Sequence, residues 1–332
     1  MAVLLLLSAG CDDATAESGS AGASTSGEAT SSSDPTPGAS SDGSSAGTSS
    51  AATSTGRSSS NATANSETGG EGSTTADTPG DDGSSGDSTG GPPSDNHWIL
   101  EHFAKDPVMT GDFDSRTVVE MPQLVHNATG TNAKYAFTPL NQEGPEDKRV
   151  AFMNVHITDL VSSDAYGGGI ATNNADPGVS MYLSNVYIEP NWPEWQDYES
   201  TNYDGIVLDG SLEFYAEDLT IVNWNADSAI DIKSQVAQLS RFHSEGGGNR
   251  TLRFWREGPH YIVESTVDNP TGGILWFRYC DTTTLYVYDS TFNGEAQVPP
   301  SRVQCDEGSS PTIIYLDEDP RASGEMHPMF AP

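Results

Sequence analysis

The second half of the chain repeats short apolar runs at a spacing of 22 to 24 residues. The runs GIVLDG, AIDIKS, TLRFWR and GILWFR begin at residues 205, 229, 251 and 273. A second series lies between them and includes NVYIE at 185–189, DLTIV at 218–222 and HYIVES at 260–265. Two interleaved strand series with one short period are typical of a solenoid in which each repeat forms one coil. Because no repeat contains a helical pattern, the sequence predicts an all-β parallel β-helix.

Composition divides the chain into two parts. Residues 12–97 contain no Phe, Trp or Tyr, and they carry 13 acidic residues against one basic residue, Arg57. A segment this poor in apolar side chains cannot bury enough surface to offset its chain entropy. We therefore expect a long disordered tether over 11–97 and one β-helix domain over 98–332. Residues 98–150 and 306–332 are expected to cap the two ends of the solenoid.

The N-terminus has the pattern of an export signal. An apolar run over 1–10 ends in Ser8, Ala9 and Gly10 and is followed by Cys11. This resembles the lipobox of bacterial lipoproteins, whose cysteine is acylated. The resemblance implies a signal peptide over 1–10 and a lipid anchor on Cys11, at the outer membrane surface or in the periplasm of a bacterial cell envelope. The alternative is an ordinary cleaved signal peptide with an incidental cysteine, and a start codon further upstream would explain why no Lys or Arg precedes the run.

The two remaining cysteines are one coil apart. Cys280 and Cys305 are separated by 25 residues, so neighbouring coils could bring their Cα atoms within the reach of a disulfide. We predict this bond for an exported protein, with two buried free thiols as the alternative. The seven histidines are scattered and show no zinc-site spacing.

The coils resemble the pectin-lyase-like superfamily of right-handed parallel β-helices over about residues 115–316. The resemblance rests on strand–turn–strand repeats whose strands begin with Asn or Asp, such as those at 154–157 and 185–188. It implies a right-handed parallel β-helix. Members of the superfamily cleave uronic-acid polymers, and others bind glycans or serve as structural spikes, so the fold does not select the function.

Strand alternation indicates which side chains face outwards. Apolar residues such as Ile230, Ile232, Leu252 and Phe254 must point into the core, so their neighbours point out of the coil. We expect an outer patch on stacked coils that comprises Asp209, Asp231, Lys233, Arg253, Trp255, Trp276 and Arg278.

The charge distribution predicts an anionic ligand at this patch. The whole chain has a formal charge of −34, yet six of its 14 basic residues fall within 46 positions. They are Lys233, Arg241, Arg250, Arg253, Arg256 and Arg278. A local basic patch on an acidic protein suits an acidic polysaccharide, whereas the overall field excludes nucleic acid. The alternative is that these cations pair with stacked acids in a rigid scaffold.

If the domain is catalytic, the resemblance implies β-elimination from a uronate. Ca²⁺ and cationic side chains would neutralise the substrate carboxylate, and a basic side chain would accept the C5 proton. Asp209, Asp227 and Asp231 are the expected Ca²⁺ ligands, and Lys233 is the expected base because partial burial beside other cations eases loss of its proton. Arg253 completes the catalytic pair. The family's catalytic motif is not intact here, and a hydrolase that uses Asp209 and Asp231 is the alternative.

Further substrate contacts are expected from side chains around this centre. They are Arg250, Trp255, Arg256, Trp276 and Arg278. The insertion at 190–205 adds Trp192 and Trp195, which could stack on sugar rings or fold back over the coil. The glycine runs at 167–169 and 246–248 are expected to form corners with positive φ.

These observations predict a surface lipoprotein whose β-helix binds an acidic polysaccharide, with cleavage by β-elimination as a further expectation. We expect a monomer. The competing function is a non-catalytic structural or adhesion protein of the cell surface.

Overall fold

The computed structural model describes residues 95–140, 148–162, 165–172 and 178–331. The predicted signal peptide, Cys11 and the tether up to residue 94 lie outside the described residues. Within the described residues, no helix has the length and apolar character needed to span a membrane.

Almost all the regular structure consists of parallel strands, numbered β1–β20 along the chain, in two sheets. The eight-stranded sheet contains β2 (Thr117–Glu120), β4 (Tyr135–Leu140), β6 (Tyr166–Ala171), β8 (Asn202–Val207), β10 (Ser228–Ile232), β13 (Arg250–Phe254), β16 (Gly273–Tyr279) and β19 (Val303–Glu307). The twelve-stranded sheet contains β1 (Val108–Phe113), β3 (Gln123–Gly130), β5 (Arg149–Thr158), β7 (Val179–Glu189), β9 (Ser211–Val222), β11 (Val236–Ser240), β12 (His243–Glu245), β14 (His260–Val263), β15 (Thr266–Asp268), β17 (Thr284–Tyr288), β18 (Thr291–Phe292) and β20 (Thr312–Tyr315). The chain passes back and forth between the two sheets, and all pairings between these strands are parallel, which confirms the all-β, β-helical fold class.

A ladder of asparagines bends the long strands of the twelve-stranded sheet. Asn127, Asn154 and Asn185 adopt φ values of 52° to 54° within β3, β5 and β7. Asn185 Nδ2 donates to Asn154 Oδ1 at 2.7 Å, and Asn154 Nδ2 donates to Asn127 Oδ1 at 3.2 Å. Asparagine tolerates the left-handed region better than most residues. Each of these strands therefore turns a corner without breaking the stack of coils.

The glycine runs have a different role from the predicted one. Residues 167–169 and 246–248 do not have positive φ. Glycine is needed at these positions because neighbouring coils leave no room for a side chain. A Cβ on Gly169 would lie 2.7 Å from the carbonyl oxygen of Gly205. A Cβ on Gly248 would overlap the ring of Trp224. The prediction of positive-φ glycine corners was wrong at these two runs.

The terminal segments cover the outer face of the twelve-stranded sheet. Helix α1 (His97–His102) and the C-terminal segment, which contains α2 (Pro320–Ser323) and a 3-10 turn (Pro328–Phe330), bury a second apolar cluster there. The His327 ring stacks on Tyr215 with a centroid distance of 4.2 Å. Asn96 Nδ2 donates to the carbonyl of Met329 at 2.9 Å and joins the two segments. Both segments were expected to cap the ends of the solenoid. These parts of them pack instead against the side of the twelve-stranded sheet, because its outer face carries apolar side chains that must be covered.

The predicted disulfide is present. Cys280 follows β16 and Cys305 lies on β19, and their Cα atoms are 5.7 Å apart. Parallel pairing of β16 with β19 sets Phe277 opposite Cys305 and so brings the two cysteines of adjacent coils together. The alternative of two free thiols is excluded.

We expect the buried His260 to make stability depend on pH. Its Nδ1 accepts from the Ala237 amide at 3.1 Å, so Nε2 carries the proton and donates to the Arg256 carbonyl at 3.0 Å. Burial lowers the pKa of His260 to about 4, and the bond to the Arg256 carbonyl opposes this only in part. Because the folded-state pKa lies below the unfolded value of about 6.5, the stabilisation is complete above that pH and is lost as pH falls towards 4.

The expected loss is about 3 kcal/mol of unfolding free energy, from a shift of about 2.5 pH units. Denaturant titrations of the wild type and of His260→Gln at pH 7 and pH 4 test this prediction. The difference between the two proteins separates the contribution of His260 to the unfolding free energy from that of other titrating groups. The stability difference between the two proteins should shrink by that amount at the lower pH. A difference that does not change with pH would contradict this assignment.

Candidate functional site

Two rows of outward side chains run across the eight-stranded sheet. Pairing of β8, β10, β13, β16 and β19 aligns Val207, Asp231, Arg253, Trp276 and Gln304 in one row. The same pairing aligns Asp204, Ser228, Arg250 and Gly273 in a second row. The rows are set by the register of the coils, and they bring side chains together that are 22 to 28 residues apart in sequence.

Arg253 lies at the centre of the site and is only 6% exposed. Its Nη1 donates to Asp227 Oδ2 at 2.6 Å, and its Nε lies 3.6 Å from Asp231 Oδ1. Its guanidinium carbon lies 5.3 Å from the ring centroids of both Trp255 and Trp276. Ion pairs and aromatic rings together hold this cation in one position.

Lys233 is held by two carboxylates. Its Nζ forms an ion pair with Asp209 and lies 3.2 Å from Asp231 Oδ2. Burial alone would lower the pKa of Lys233, but the charges of Asp231 and Asp209 outweigh it and raise the pKa. This is opposite to the predicted direction, because the neighbours that decide the charge are acids rather than cations. Lys233 in this arrangement is a poor proton acceptor.

Asp204 is the carboxyl group with the most perturbed environment in the groove. It is 4% exposed and accepts a hydrogen bond from the hydroxyl of Ser228. Burial, followed by the charges of Asp227 and Asp231, raises the pKa of Asp204 well above its ordinary value, and Arg253 and Ser228 offset this only in part. Asp204 therefore favours the protonated form, next to an Asp231 that is ion-paired.

Asp227 lies in the interior of the protein, behind Arg253, and forms an ion pair with it. Its side chain is fully buried, and it accepts from Asn249 Nδ2 at 3.0 Å as well as from Arg253. Burial raises the pKa of Asp227, while Arg253 and Asn249 oppose the rise. The network thus depends on Arg253, which contacts both Asp227 and Asp231.

Arg250 has uncharged hydrogen-bond partners. Its Nε donates to Gln304 Oε1 at 2.9 Å, and its Nη1 donates to the hydroxyl of Tyr198. Its guanidinium also lies over Trp276 at 5.3 Å. In contrast, Lys233, Arg253 and Arg278 are each ion-paired with carboxylates. Among the described residues, Arg250 makes no direct ion pair, although the charge of the nearby Asp227 acts on it. An anion can therefore bind Arg250 without displacing a carboxylate from it.

These side chains line one open groove of about 680 Å³, which we call the main groove. It extends from Tyr135 and Tyr166 at one end to Arg278 and Asp306 at the other. The main groove spans seven strands, from β4 to β19, and their six spacings of about 4.8 Å give a length of roughly 29 Å. The main groove is long enough for an extended polymer.

Most of the predicted patch is brought together here. Asp209, Asp231, Lys233, Arg250, Arg253, Trp255, Trp276 and Arg278 all line the main groove. Two predicted contacts, Trp192 and Arg256, lie outside the main groove. Trp192 is 3% exposed and stacks on Tyr203 in the core, because the insertion folds back over the coil. Arg256 is exposed beyond the end of β13 and does not line the main groove.

Trp195 and Tyr198 hold the same insertion against the site. Trp195 packs edge-on against Tyr198 at 4.9 Å and lines a neighbouring groove rather than the main one. Tyr198 is exposed and lines the main groove. Sequence reasoning missed Asp204 and Gln304, and aligning the coils by register would have placed both beside residues of the patch.

The carboxylates expected to bind Ca²⁺ are paired with cationic side chains instead. Asp209, Asp227 and Asp231 each form an ion pair with a cationic side chain. Among the described residues, no group of three or more His, Cys, Asp or Glu side chains is arranged to hold a metal ion. Ca²⁺ prefers several converging oxygen ligands, and the residues expected to supply them do not fit that requirement.

Comparison with known proteins gives no functional assignment, which therefore rests on the geometry of the site. No protein-family model matches the chain, and neither a curated protein nor a solved structure matches it.

Proposed function

We propose that the main groove binds an acidic polysaccharide. The observation that carries this proposal is Arg250, a cation in the groove whose hydrogen-bond partners, Gln304 and Tyr198, are uncharged. A substrate carboxylate can replace the Tyr198 hydroxyl at this guanidinium and form a charge-assisted pair. The exposed faces of Tyr166 and Tyr198 then supply apolar surface along the same groove.

Replacing Arg250 with Gln should weaken binding of polygalacturonate to the full-length protein about ten- to a hundredfold, which corresponds to one charge-assisted hydrogen bond. Isothermal titration calorimetry at low and high salt measures this change. Arg241→Gln is the matched control, since it removes the same charge from the twelve-stranded sheet, where Arg241 pairs with Asp218. Equal weakening by both variants would show that net charge, and not the groove, controls binding.

The same geometry supports cleavage by hydrolysis. Asp204 donates its carboxyl proton to the glycosidic oxygen, and the C–O bond breaks with its electron pair on the leaving oxygen. A water molecule attacks the anomeric carbon and gives its proton to the Asp231 carboxylate. One glycosidic bond and one water thus become two hydroxyl groups, and proton exchange with solvent restores Asp204. Paired carboxyl groups in different protonation states are what this reaction requires.

β-Elimination has less support from the geometry. It needs a base near the C5 proton, and both Asp209 and Asp231 favour the protonated form of Lys233. Arg253 is equally unsuited because its buried ion pairs raise its pKa further, despite the opposing effect of burial. The expected Ca²⁺ ligands are ion-paired as well. Hydrolysis draws instead on the protonated Asp204 carboxyl as the acid and on Asp231, which Lys233 and Arg253 hold as a carboxylate, as the base.

We assign the fold to the pectin-lyase-like group as part of this proposal, on the support of its two parallel sheets and stacked coils. We further propose that Cys11 carries a lipid anchor in a bacterial cell envelope, which rests on the apolar run and the small residues before it. Partition of the full-length protein into a detergent phase, lost in Cys11→Ser, tests the anchor. A protein that binds no acidic polymer would instead fit the structural or adhesion role.

A further inference from the structure

A second polar groove lies beside the main groove. It has a volume of about 600 Å³, and we call it the side groove. Its lining includes Trp195, Asn225, Thr271, Arg302 and Gln304. The predicted patch and the proposed function do not use this space.

A thin wall of side chains separates the two grooves. Arg250 bridges Tyr198 on one side and Gln304 on the other, and Gln304 itself lines the side groove. Gln304 lies flat across β16 because residue 273 is glycine: a Cβ there would come 2.8 Å from Gln304 Nε2. A polymer bound at Arg250 therefore lies directly next to the side groove.

The chemistry of the side groove favours an uncharged, hydroxyl-rich ligand. The guanidinium of Arg302 is occupied by three backbone carbonyls, those of Pro270, Thr271 and Gly272, at 2.7 to 3.0 Å. The rest of the lining consists of amides, hydroxyls, glycine backbone, the indole of Trp195 and the carboxylate of Glu194, which disfavours an anion. Amides and hydroxyls match sugar hydroxyl groups, and an aromatic ring gives a sugar an apolar face to pack against.

The side groove is built before any ligand arrives. The Trp195 amide donates to the Asn225 carbonyl at 2.7 Å, which ties the insertion to the coil. The Gln196 amide donates to Thr201 Oγ1 at 2.8 Å and closes the insertion on itself. Trp195 also packs against Tyr198 at the wall. A preformed pocket wall reduces the ordering that binding requires.

We infer that the side groove binds a neutral sugar branch of the polymer that occupies the main groove. This inference rests on the proposed function. The main chain lies across Arg250 in the main groove, and a single branch passes over the Arg250–Gln304 wall to reach Trp195. The protein then prefers an acidic polysaccharide with neutral side sugars over the same backbone without them.

Calorimetric titration of the full-length protein with polygalacturonate and with xylogalacturonan, which carries xylose branches, tests the inference. The wild type should bind the branched polymer about tenfold more tightly, as expected for one well-packed aromatic contact. Trp195→Ala should weaken binding of the branched polymer more than binding of polygalacturonate, and so remove this preference. Tyr166→Ala is the matched control at the far end of the main groove, and it should weaken both polymers alike.

The outcomes separate the two proposals. Equal binding of the two polymers by the wild type, or equal weakening of both by Trp195→Ala, would overturn the side-groove assignment while the main groove stands. Failure of both polymers to bind the wild type would overturn the acidic-polysaccharide proposal together with this inference. An unchanged melting temperature in Trp195→Ala would show that the variant is folded.

Discussion

Replacing Arg253 with Ala is expected to lower the unfolding free energy by about 3–5 kcal/mol, the cost of leaving a buried charge without its partner. Arg253 is the cation that contacts both Asp227 and Asp231, which are 0% and 4% exposed. Without it, the buried Asp227 carboxylate loses its ion-pair partner, whereas Asp231 keeps Lys233. The expected fall in the melting temperature is about 10 °C for a domain of this size.

Arg278→Ala is the matched control for this prediction. Arg278 also pairs with two acids, Asp306 and Glu307, but all three side chains are about one-third to one-half exposed. Its loss should lower the unfolding free energy far less than the loss of Arg253 does, because solvent screens an exposed ion pair. The defect of Arg253→Ala should also diminish at acid pH, where the unpaired carboxyl group takes up a proton. Denaturant titrations in which both variants lose similar stability would contradict the central role given to Arg253.

Replacing Asp204 with Asn is expected to reduce the cleavage rate by about 10²–10⁴-fold, the usual contribution of one general acid. The amide can still accept the hydrogen bond from Ser228 but supplies no acidic proton. Binding should therefore remain. The measurement follows new reducing ends from polygalacturonate, together with the ultraviolet absorbance of unsaturated products, which hydrolysis does not form.

Asp306→Asn is the control for Asp204, because Asp306 lies in the same groove but is exposed at its rim. It should leave the rate within about twofold, as expected for a residue outside the general-acid step. Since burial raises the pKa of Asp204, wild-type activity should persist above the ordinary aspartate range of about 4 and fall as pH rises through that raised value. Undiminished cleavage by Asp204→Asn would contradict the general-acid role, and unsaturated products would indicate β-elimination.

The sequence was sufficient to predict much of the outer face. Leu252 and Phe254 point into the core as alternation requires, and Arg253 and Trp255 point outwards. The repeat spacing predicted which coils stack, and it correctly brought Cys280 next to Cys305. Both results follow from a fixed coil length and a strand period of two.

At the start of the strands in this sheet, side chains do not alternate strictly between the core and the outer face. Sequence reasoning missed Asp204 for that reason. In β10, the consecutive residues Ala229 and Ile230 both lie in the core. In β16, the consecutive residues Ile274 and Leu275 also both lie in the core. Two inward residues in succession reverse the alternation for the residues before them. Asp204 and its aligned neighbours consequently face the groove, which a strict period of two does not predict.

Pairing of charges could not be predicted from composition alone. The cluster of basic residues predicted a surface for an anionic ligand, with pairing to stacked acids as the alternative, and Lys233 and Arg253 are indeed held by acids from adjacent coils. The register decides which acid meets which base, and it is not visible in a count of charges. The fate of Trp192 likewise depended on how the insertion folds back against Tyr203.

The most direct test of the account is a crystal structure of the protein with a bound galacturonate oligosaccharide. We predict an extended sugar chain in the main groove between Tyr166 and Arg278, with one carboxylate on Arg250 and a glycosidic oxygen within hydrogen-bond distance of Asp204. An oligosaccharide bound elsewhere on the protein, with the main groove empty at a saturating concentration, would contradict the account.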